Sequence, residues 1–514
     1  MEAYQQRSAG VEFQAATLCF EELRTFLGSP GALALEHQEA EYEVEHRGRE
    51  VLRLLYQDHL NLRARLEVLT PVTGEDGVLR AILEEDTHRP LDSVFGEVTS
   101  WRVGARARDS DRRFPLDAEL NLPRQRQSFG VQQLVATEVA KSSFDEVVKT
   151  VADRTGATVS KRQAEQLAAA TAQDFLEFYA QRPTAELRAH GTELVVTTTD
   201  CKGLVMRHAD LREATKRAAT KAQHKVRKRL SKGEKRNRKR MATVAACYTI
   251  ARQVRTPADF IRELQAVQDT NRPPKPKPRN KRVWASVQQE QAEVICELFE
   301  EGRRRDPELL QTWVTLLDGS EEQLQRVKQE AAQQGVTPVI ILDIIHVLEY
   351  LWKAAYCFHA EGTTLAEEWV TDRFRRLLVG RAVDVAAGIR RSATLHNLEP
   401  EARKAVDKCA DYLLKNKQYM RYSEYLAAGY PIATGVIEGA CRHLVKDRMD
   451  LTGARWSLEG ADAVLRLRAL RSSGDFDDYW EYHIRREHFR NHLSRYANGT
   501  VRPQKQPVLK LIKT

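Results

Sequence analysis

The spacing of apolar residues divides the chain into stretches with a helical period and stretches with the period of a strand. From residue 10 to about residue 69, apolar positions such as Phe20, Leu23 and Phe26 recur at three- and four-residue intervals, which predicts a pair of amphipathic helices. Between residues 73 and 123 the period shortens, and residues 94–103 alternate as a strand does. We therefore expect a helical region followed by a small β-containing module.

The next region carries two signatures of a helix start. Ser143 and Ser160 each begin a capping-box pattern, and a turn at Gly156 separates them, so the sequence predicts helix, tight turn, helix. Such pairs also occur in helical proteins that bind no DNA, and spacing alone leaves both interpretations open. If the pair does bind DNA, the residues that can reach phosphates or base edges begin the second helix: Lys161, Arg162 and Gln163.

The middle of the chain alternates between strand-like and helix-like segments. The predicted strands are, in order, residues 194–199, 202–207, 242–250, 283–287, 313–317 and 339–342. Helices are predicted for residues 288–301 and 320–334, and almost all of residues 363–428 has a helical pattern. Strands followed by strand–helix alternation predict a mixed sheet covered by helices, an order compatible with an RNase H-like core.

These patterns predict a mixed α+β protein that is predominantly helical. A chain of 514 residues exceeds what one hydrophobic core usually supports. The expected divisions are 1–72 (N-terminal helices), 73–130 (β module), 131–190 (helix-turn-helix domain), 191–360 (first part of the sheet core, with a basic extension at 211–240), 361–430 (helical insertion), 431–495 (final helical part of the core) and 496–514 (tail).

Charge distribution indicates a polyanionic partner. The net charge is +9, and residues 216–240 are dense in Lys and Arg with a single acid, Glu234. Such a block repels itself, and counterion release on a phosphate backbone relieves that repulsion, although a solvated surface helix remains an alternative. The residues of this segment that we expect to contact DNA are Lys225, Arg227, Lys228, Arg229, Arg236, Arg238, Lys239 and Arg240.

Cysteine usage and hydropathy narrow the class of protein. The seven cysteines include no C-x-x-C pair, so we expect neither a zinc site nor a disulfide framework. This cysteine usage is typical of a protein in a reducing cytoplasm. The most apolar run, near Val339, contains Asp343, His346 and Glu349 within one membrane width, which argues against a transmembrane helix. No secretory signal and no membrane partner are predicted.

Three acids stand in settings that suggest a shared role. Asp200 ends a strand-like run, Asp343 lies between a strand and a helix, and Glu438 lies near the start of a helix. Each also has an ordinary structural interpretation: a turn for Asp200, a helix N-cap for Asp343 and a helical ion pair with Arg442 for Glu438. Asp318, at the end of another apolar run, is a rival for the second acid.

Carboxylates are the ligands that Mg²⁺ prefers, and two ions about 3.5–4 Å apart can activate a nucleophile and stabilise a leaving alkoxide. The sequence therefore predicts that Asp200, Asp343 and Glu438 bind two Mg²⁺ ions, with Mn²⁺ as an alternative. His346 is predicted either to approach the scissile phosphate or to orient a carboxylate, and a buried structural histidine is an equal alternative.

Three sequence strings carry a resemblance: DIIHVLEYLWKAA, PIATGVIEGACRHLVKDRMDLTGARW and GADAVLRLRALRSSGDFDDYW. They resemble bacterial insertion-sequence transposases of the ISKra group within the DDE superfamily, over roughly residues 115–490. The resemblance implies an RNase H-like catalytic core, a helical insertion before the final Glu, and metal-dependent cutting and joining of transposon ends. It also implies a catalytic set of Asp200, Asp343, Glu438 and His346.

Further expectations follow from the same resemblance. DNA contacts near the third acid would come from Arg442, Arg448, Arg455 and Trp456. The partners would be double-stranded DNA, both transposon ends and target, and a second copy of the chain in a homodimer, in the bacterial cytoplasm at the nucleoid. Two alternatives remain: an RNase H-like nuclease that cuts without joining, and a non-catalytic DNA-binding protein derived from a transposase.

Overall fold

A computed structural model describes residues 13–221, 238–264, 275–433, 435–450 and 454–501. The chain forms two compact units. One contains the N-terminal part up to Tyr179 together with the segment that starts at Phe476, and the other contains Ala180–Asp475. Helices predominate, and within the described residues the strands lie in three separate sheets of two, two and five strands. The prediction of a mostly helical α+β protein is confirmed.

The strands are β1 (Val72–Thr73), β2 (Leu79–Arg80), β3 (Ile82–Ser93), β4 (Gly96–Arg106), β5 (Leu194–Val205), β6 (Lys239–Ile250), β7 (Arg279–Ser286), β8 (Thr312–Leu317) and β9 (Val339–Leu342). The α-helices are α1 (Gln14–Leu27), α2 (Pro30–Leu33), α3 (His37–Arg65), α4 (Pro115–Glu119), α5 (Phe129–Val139), α6 (Phe144–Arg154), α7 (Lys161–Thr171), α8 (Phe175–Gln181), α9 (Glu213–Lys221), α10 (Pro257–Leu264), α11 (Gln291–Arg305), α12 (Glu321–Gln333), α13 (Ile344–Ala355), α14 (Thr364–Leu378), α15 (Ala382–Leu395), α16 (Pro400–Asn416), α17 (Tyr422–Ala427), α18 (Gly435–Ala440), α19 (Asp447–Met449), α20 (Leu458–Ser473) and α21 (Phe476–Asn491).

The first unit begins as the apolar spacing predicts. Helices α1 and α3 pack against each other, and β3 and β4 form an antiparallel hairpin beside α3. Gln57 of α3 fixes this contact, because its side chain donates to the Thr99 carbonyl and accepts from the Thr99 N–H, at 2.8 and 2.7 Å. Both the helical pair and the strand over most of residues 94–103 are therefore confirmed.

The helix–turn–helix pattern is also confirmed. Ser143 and Ser160 cap α6 and α7. In both caps the backbone N–H of the serine also donates a hydrogen bond to the side chain of the third helical residue. Each capping box satisfies N–H groups that a helix start otherwise leaves without partners, which is why the boundary can be identified from sequence. Leu167 and Ala168 of α7 are buried, whereas Arg162 faces solvent.

The second unit is built around a five-stranded mixed sheet with the strand order β7-β6-β5-β8-β9. The pairs β7–β6 and β6–β5 are antiparallel, whereas β5–β8 and β8–β9 are parallel. Helix α11 packs on β5 and β6, and its Phe299 stacks on Trp313 of β8. The opposite face carries Val196, Leu316 and Ile341 in one apolar core with α13.

One predicted strand break is wrong. Strand β5 runs without interruption from Leu194 to Val205, so Asp200 lies inside the strand, and residues 202–207 do not return as a separate strand. The partner of β5 is β6, which pairs with it over its whole length and begins at Lys239. The basic segment thus does connect neighbouring strands, but Lys239 and Arg240 belong to β6 itself. The sequence misled because Asp and Gly are depleted in strands, whereas the continuous ladder with β6 overrides that preference.

A helical region separates α13 from α18. Helices α14 to α17 lie there, which confirms the helical pattern predicted for residues 363–428, and their buried residues share the apolar core with α13. The last strongly apolar helix, α20, packs on β7 and buries residues on nearly every side. No helix in the described part of the chain is both long and apolar enough to cross a bilayer.

Candidate active site

Asp200 is held at both carboxylate oxygens. Its Oδ1 accepts a hydrogen bond from the Cys201 N–H at 2.6 Å, and its Oδ2 accepts from the Cys441 thiol at 3.1 Å. Asp200 is half-buried, whereas Cys441 is buried. Burial raises the pKa of the Cys441 thiol, and the Asp200 charge raises it further, so the sulfur stays protonated and donates. These contacts join the middle of the sheet to the helix that carries Glu438.

Glu438 lies one helical turn before Cys441, so the two side chains share a face of the chain segment that approaches Asp200. Partial burial raises the pKa of the Glu438 carboxyl; His346 opposes the rise, and the charges of Glu349 and Asp200 add to it. The helix changes to a π-helical turn at Cys441–Lys446. Such turns frequently occur at functional sites because the extra residue re-aims side chains. The structure therefore brings Asp200, Glu438 and His346 into one electrostatic neighbourhood.

Asp343 has the capping role that was its structural alternative. Its Oδ1 accepts from the Ile345 N–H at 2.9 Å, and the residue is 2% exposed. Because a capping carboxylate can also serve as a ligand through its other oxygen, this role does not by itself decide the prediction. Asp343 is nevertheless much less accessible to a substrate than Asp200 or Glu438.

The rival acid, Asp318, follows the end of β8, the strand beside β5. The recorded β5–β8 pairing ends at Thr198 and Leu316, and extending this alignment by two residues brings Asp200 level with Asp318. Because neighbouring strands lie about 4.8 Å apart, this extrapolated alignment makes the two acids neighbours. Burial raises the pKa of the nearby Cys201 thiol, and the charges of both Asp200 and Asp318 contribute to the rise.

The same register reaches Asp343 one strand further away. The pair β8–β9 aligns Leu317 with Leu342, and the Asp343 N–H donates to the Leu317 carbonyl at 2.8 Å, so the next residues, Asp318 and Asp343, are also side by side. Asp343 is then two strand spacings, about 10 Å, from Asp200. In this alignment the three acids form a row across the sheet. Asp318 follows β8 in the middle, Asp200 of β5 lies on one side and Asp343, which follows β9, lies on the other.

Two tyrosines from the helical region hold the ends of β8 and β9. The Tyr412 hydroxyl donates to the Asp318 carbonyl at 2.7 Å, and the Tyr422 hydroxyl donates to the Leu342 carbonyl at 2.9 Å. Gly319 makes the close approach of Tyr412 possible, since its φ is +87° and an added Cβ would lie 3.1 Å from the Tyr412 ring. The helical region therefore fixes the backbone at both candidate acids, a role that the sequence did not reveal.

The spacing of the predicted ligands is wider than in a single-ion site. Among the described residues, Asp200, Asp343 and Glu438 do not form a group whose ligand atoms all lie within 4.8 Å of one another. Two ions about 4 Å apart, each about 2 Å from its ligands, can be held by oxygens up to about 8 Å apart. The oxygen-rich donor set fits Mg²⁺ or Mn²⁺, and Asp318 shortens the gap between Asp200 and Asp343.

A tighter group of possible ligands lies in the first unit. Asp174, His483 and Glu487 are buried, and each offers a ligand atom within 4.8 Å of the others. Arg490, however, donates to both carboxylates, and the His483 ring bonds Asp174 at 2.7 Å. The side chains of Gln173 and Asn491 bond Glu487 as well. A fixed guanidinium between the two acids supplies the positive charge that a metal would bring, so the group is a buried ion network.

The residues predicted to contact DNA from the helix pair lie at the start of α7, as expected. The Lys161 ammonium forms an ion pair with Asp145 at 2.9 Å, and the Gln163 carbonyl accepts from the Ser160 N–H in the capping box. Arg162 is exposed. The cap therefore uses one of the two lone pairs of the Gln163 carbonyl oxygen, and the amide N–H groups can still donate to a base edge.

The predicted DNA contacts of the basic segment fall partly outside the described residues: Lys225, Arg227, Lys228, Arg229 and Arg236. Of the others, Arg238 and Lys239 are half-buried at the start of β6. The Arg240 guanidinium donates to the Val287 carbonyl at 2.8 Å, so it ties β6 to the residue after β7 and has a structural role.

The four residues predicted near the third acid separate into two pairs. Arg442 and Arg455 are exposed. Arg448 and Trp456 are buried, the guanidinium lies over the indole ring at 5.1 Å, and the indole N–H donates to the Met449 carbonyl at 3.0 Å. Because buried side chains cannot reach a DNA backbone in this conformation, Arg448 and Trp456 support the segment instead. A comparison with protein-family models and a search of curated proteins both find no match to this chain.

Proposed function

We propose that this protein is a metal-dependent DNA transposase of the DDE type with an RNase H-like core. The observation that carries the proposal is the convergence of acids from distant parts of the sequence. Extending the β5–β8 and β8–β9 ladders beyond their last pairs aligns Asp200, Asp318 and Asp343, and the Cys441 contact brings the helix of Glu438 to Asp200. Separate capping or turn roles explain each acid alone but give no reason for this convergence.

The proposed ligands are Asp200 and Glu438, with one acid from the ends of β8 and β9. Asp318 is favoured over Asp343 because it lies next to Asp200 and is more accessible. Bound Mg²⁺ would supply Lewis-acid stabilisation of the attacking and leaving oxygens. The sheet holds the strand-borne acids rigidly, Cys441 orients Asp200, and His346 adjusts the charge of Glu438. The exposed Arg442 and Arg455 are placed to attract the phosphate backbone.

The test compares isosteric variants of the full-length protein, Asp200→Asn, Asp318→Asn and Asp343→Asn. Asn caps a helix as well as Asp does, so Asp343→Asn removes the charge and keeps the cap. We expect Asp200→Asn and Asp318→Asn to abolish Mn²⁺ binding, measured by calorimetry, and to lower Mg²⁺-dependent plasmid cleavage by about 10³-fold or more. Asp384→Asn, an exposed acid on α15, is the matched control.

Two outcomes would change the proposal. Loss of cleavage in Asp343→Asn with activity retained in Asp318→Asn would make Asp343 the second acid. Retention of cleavage in Asp200→Asn would exclude this site as the catalytic centre, whereas a wild type that binds DNA without cleaving it would favour the DNA-binding alternative. Joining is tested separately with the DNA that flanks the coding sequence in its native element, because a strand-transfer product distinguishes a transposase from a nuclease that only cuts.

A further inference from the structure

Helix α3 exposes an apolar stripe on the face that points away from its own unit. Gln57, Leu60 and Ala64 face the β3–β4 hairpin, where Leu60 and Ala64 are buried. The opposite face presents Val44, Gly48, Leu52, Leu55 and His59, whose spacing of four, four, three and four residues keeps them in one line along the helix.

The apolar side chains of the stripe are exposed to solvent. Val44, Leu52 and Leu55 are 43, 48 and 40% exposed, and in the described part of the chain no atom beyond the helix's own backbone lies within 4 Å of the position that a Cβ on Gly48 would take. Leu66, directly after the helix, is 65% exposed and extends the line. Single exposed apolar residues are ordinary, but a seam with the spacing of a helix–helix interface indicates a covered surface.

The charges beside the stripe indicate what covers it. The acids Glu41 and Glu45 stand on this side of the N-terminal half of α3, and His59 and Arg63 stand on this side of the C-terminal half. An antiparallel copy of the same helix, with Leu52 on the two-fold axis, would set Glu41 opposite Arg63, and it would set Glu45, which also pairs with Arg49 of its own helix at 2.7 Å, opposite His59. A surface that is complementary to itself in this way is the requirement of a two-fold dimer.

We propose that α3 is a homodimerisation surface and that a second copy of this chain packs on the stripe in the antiparallel direction. The stripe from Val44 to His59 is about 22 Å long, shorter than the contact of most stable dimers, so the dimer dissociates on dilution. This inference does not depend on the proposed active site, because α3 belongs to the other unit.

The first test is the mass of the full-length protein by sedimentation over a range of concentrations. We expect a reversible monomer–dimer equilibrium for the wild type, and a dissociation constant at least about tenfold higher for the double variant Leu52→Glu, Leu55→Glu. The matched control is Leu395→Glu on α15, an equally accessible apolar residue in the other unit, which should keep the dimer. Unchanged circular dichroism melting shows that the variants fold.

Charge reversal tests the direction of packing. Glu41→Arg and Arg63→Glu should each weaken the dimer, and the combination should restore it, because each copy then offers the same two pairs with opposite signs. Arg63 also lies 3.9 Å from Glu119, so Arg63→Glu alone could weaken the dimer by disturbing that ion pair within the chain. Recovery of the dimer in the double variant has no such explanation. A monomeric wild type, a dimer insensitive to Leu52 and Leu55, or a double reversal without rescue would each overturn the proposal.

Discussion

At the scale of single residues, the functional candidates are defined by what holds them in place. Asp200 is oriented by the N–H of Cys201 and by the thiol of Cys441, which lies 241 residues further along the chain. Asp318 and Asp343 are fixed through backbone carbonyls that accept from Tyr412 and from Tyr422. Such outer contacts commonly matter almost as much as the ligands themselves.

The two tyrosines provide a matched pair for deciding between the acids. Tyr412→Phe removes the bond to the Asp318 carbonyl, and Tyr422→Phe removes the bond to the Leu342 carbonyl; each costs about 1 kcal/mol of stability. Of the two variants, we expect only Tyr412→Phe to lower Mg²⁺-dependent cleavage, by about tenfold, because it removes the hydrogen bond that fixes the backbone at Asp318. Thermal unfolding and cleavage rates measured on both variants check this. An equal effect of both variants on cleavage would mean that the row of acids acts as one unit.

The buried network around Asp174 predicts a pH-dependent stability. Burial alone would raise the pKa of this carboxyl, but bonds from His483 and Arg490 outweigh it, so the pKa lies below its ordinary value of 3.8. An acid with a depressed folded pKa stabilises the fold above its ordinary pKa, and this contribution is lost as pH falls through the folded pKa. We expect Asp174→Asn to cost about 3–5 kcal/mol at neutral pH, because it leaves buried cations uncompensated.

Denaturant unfolding of wild type and Asp174→Asn at successively lower pH measures this difference. The gap between them should narrow as pH falls below 3.8, whereas the exposed control Asp145→Asn should follow the wild type throughout. A stability change on adding a metal chelator would contradict the description of the group as an ion network and would indicate a bound metal.

At the scale of elements, local signals and global pairing had different predictive power. The capping boxes of α6 and α7 marked both helix starts correctly, because a cap is formed by residues three positions apart. The end of the predicted strand at Asp200 was wrong, because β6 pairs with β5 over its whole length, well past Thr198, the last residue that pairs with β8. Nothing near Asp200 in sequence reports those neighbours.

The basic segment between β5 and β6 carries an element-scale prediction about DNA affinity. Replacing Lys225, Arg227 and Lys228 with Ala should weaken binding to DNA of any sequence, because phosphate contacts carry no sequence information. Each lost contact should reduce the slope of log K against log salt by about 0.9. Filter binding over a salt series measures it, with the exposed pair Arg391→Ala and Lys404→Ala as the control. An unchanged slope would remove this segment from the DNA interface.

At the scale of the whole molecule, the chain returns at its end to the unit in which it began. Helix α21 groups with the N-terminal part, where Tyr479 is fully buried and donates to the Thr171 carbonyl at 2.6 Å. The apolar spacing near the C-terminus suggested instead that this helix continues the sheet core. Which unit a helix joins depends on which apolar surface is left uncovered, and spacing within the helix does not contain that information.

This return predicts that the stability of the first unit depends on α21. Tyr479→Ala should cost about 3–5 kcal/mol, since it leaves a cavity and an unbonded carbonyl in a packed interior. Phe489→Ala, on the same helix but 51% exposed, removes a similar aromatic ring at little cost. Hydrogen exchange of the two variants checks the effect, which should appear in α5 to α7 for Tyr479→Ala. Equal protection in both variants would show that α21 is dispensable there.

The sequence by itself determined the local structure of this protein and the identity of its candidate groups. Helix periods, capping boxes, most of the order of strands and helices, and the acids Asp200, Asp318, Asp343 and Glu438 could be identified from neighbouring residues, because periodicity and capping act over one or two turns. Tertiary structure alone decided the register that sets Asp318 beside Asp200, the thiol bond that brings the Glu438 helix to the sheet, and the burial of Arg448 and Trp456. These depend on pairing and packing between segments hundreds of residues apart, for which no local pattern exists.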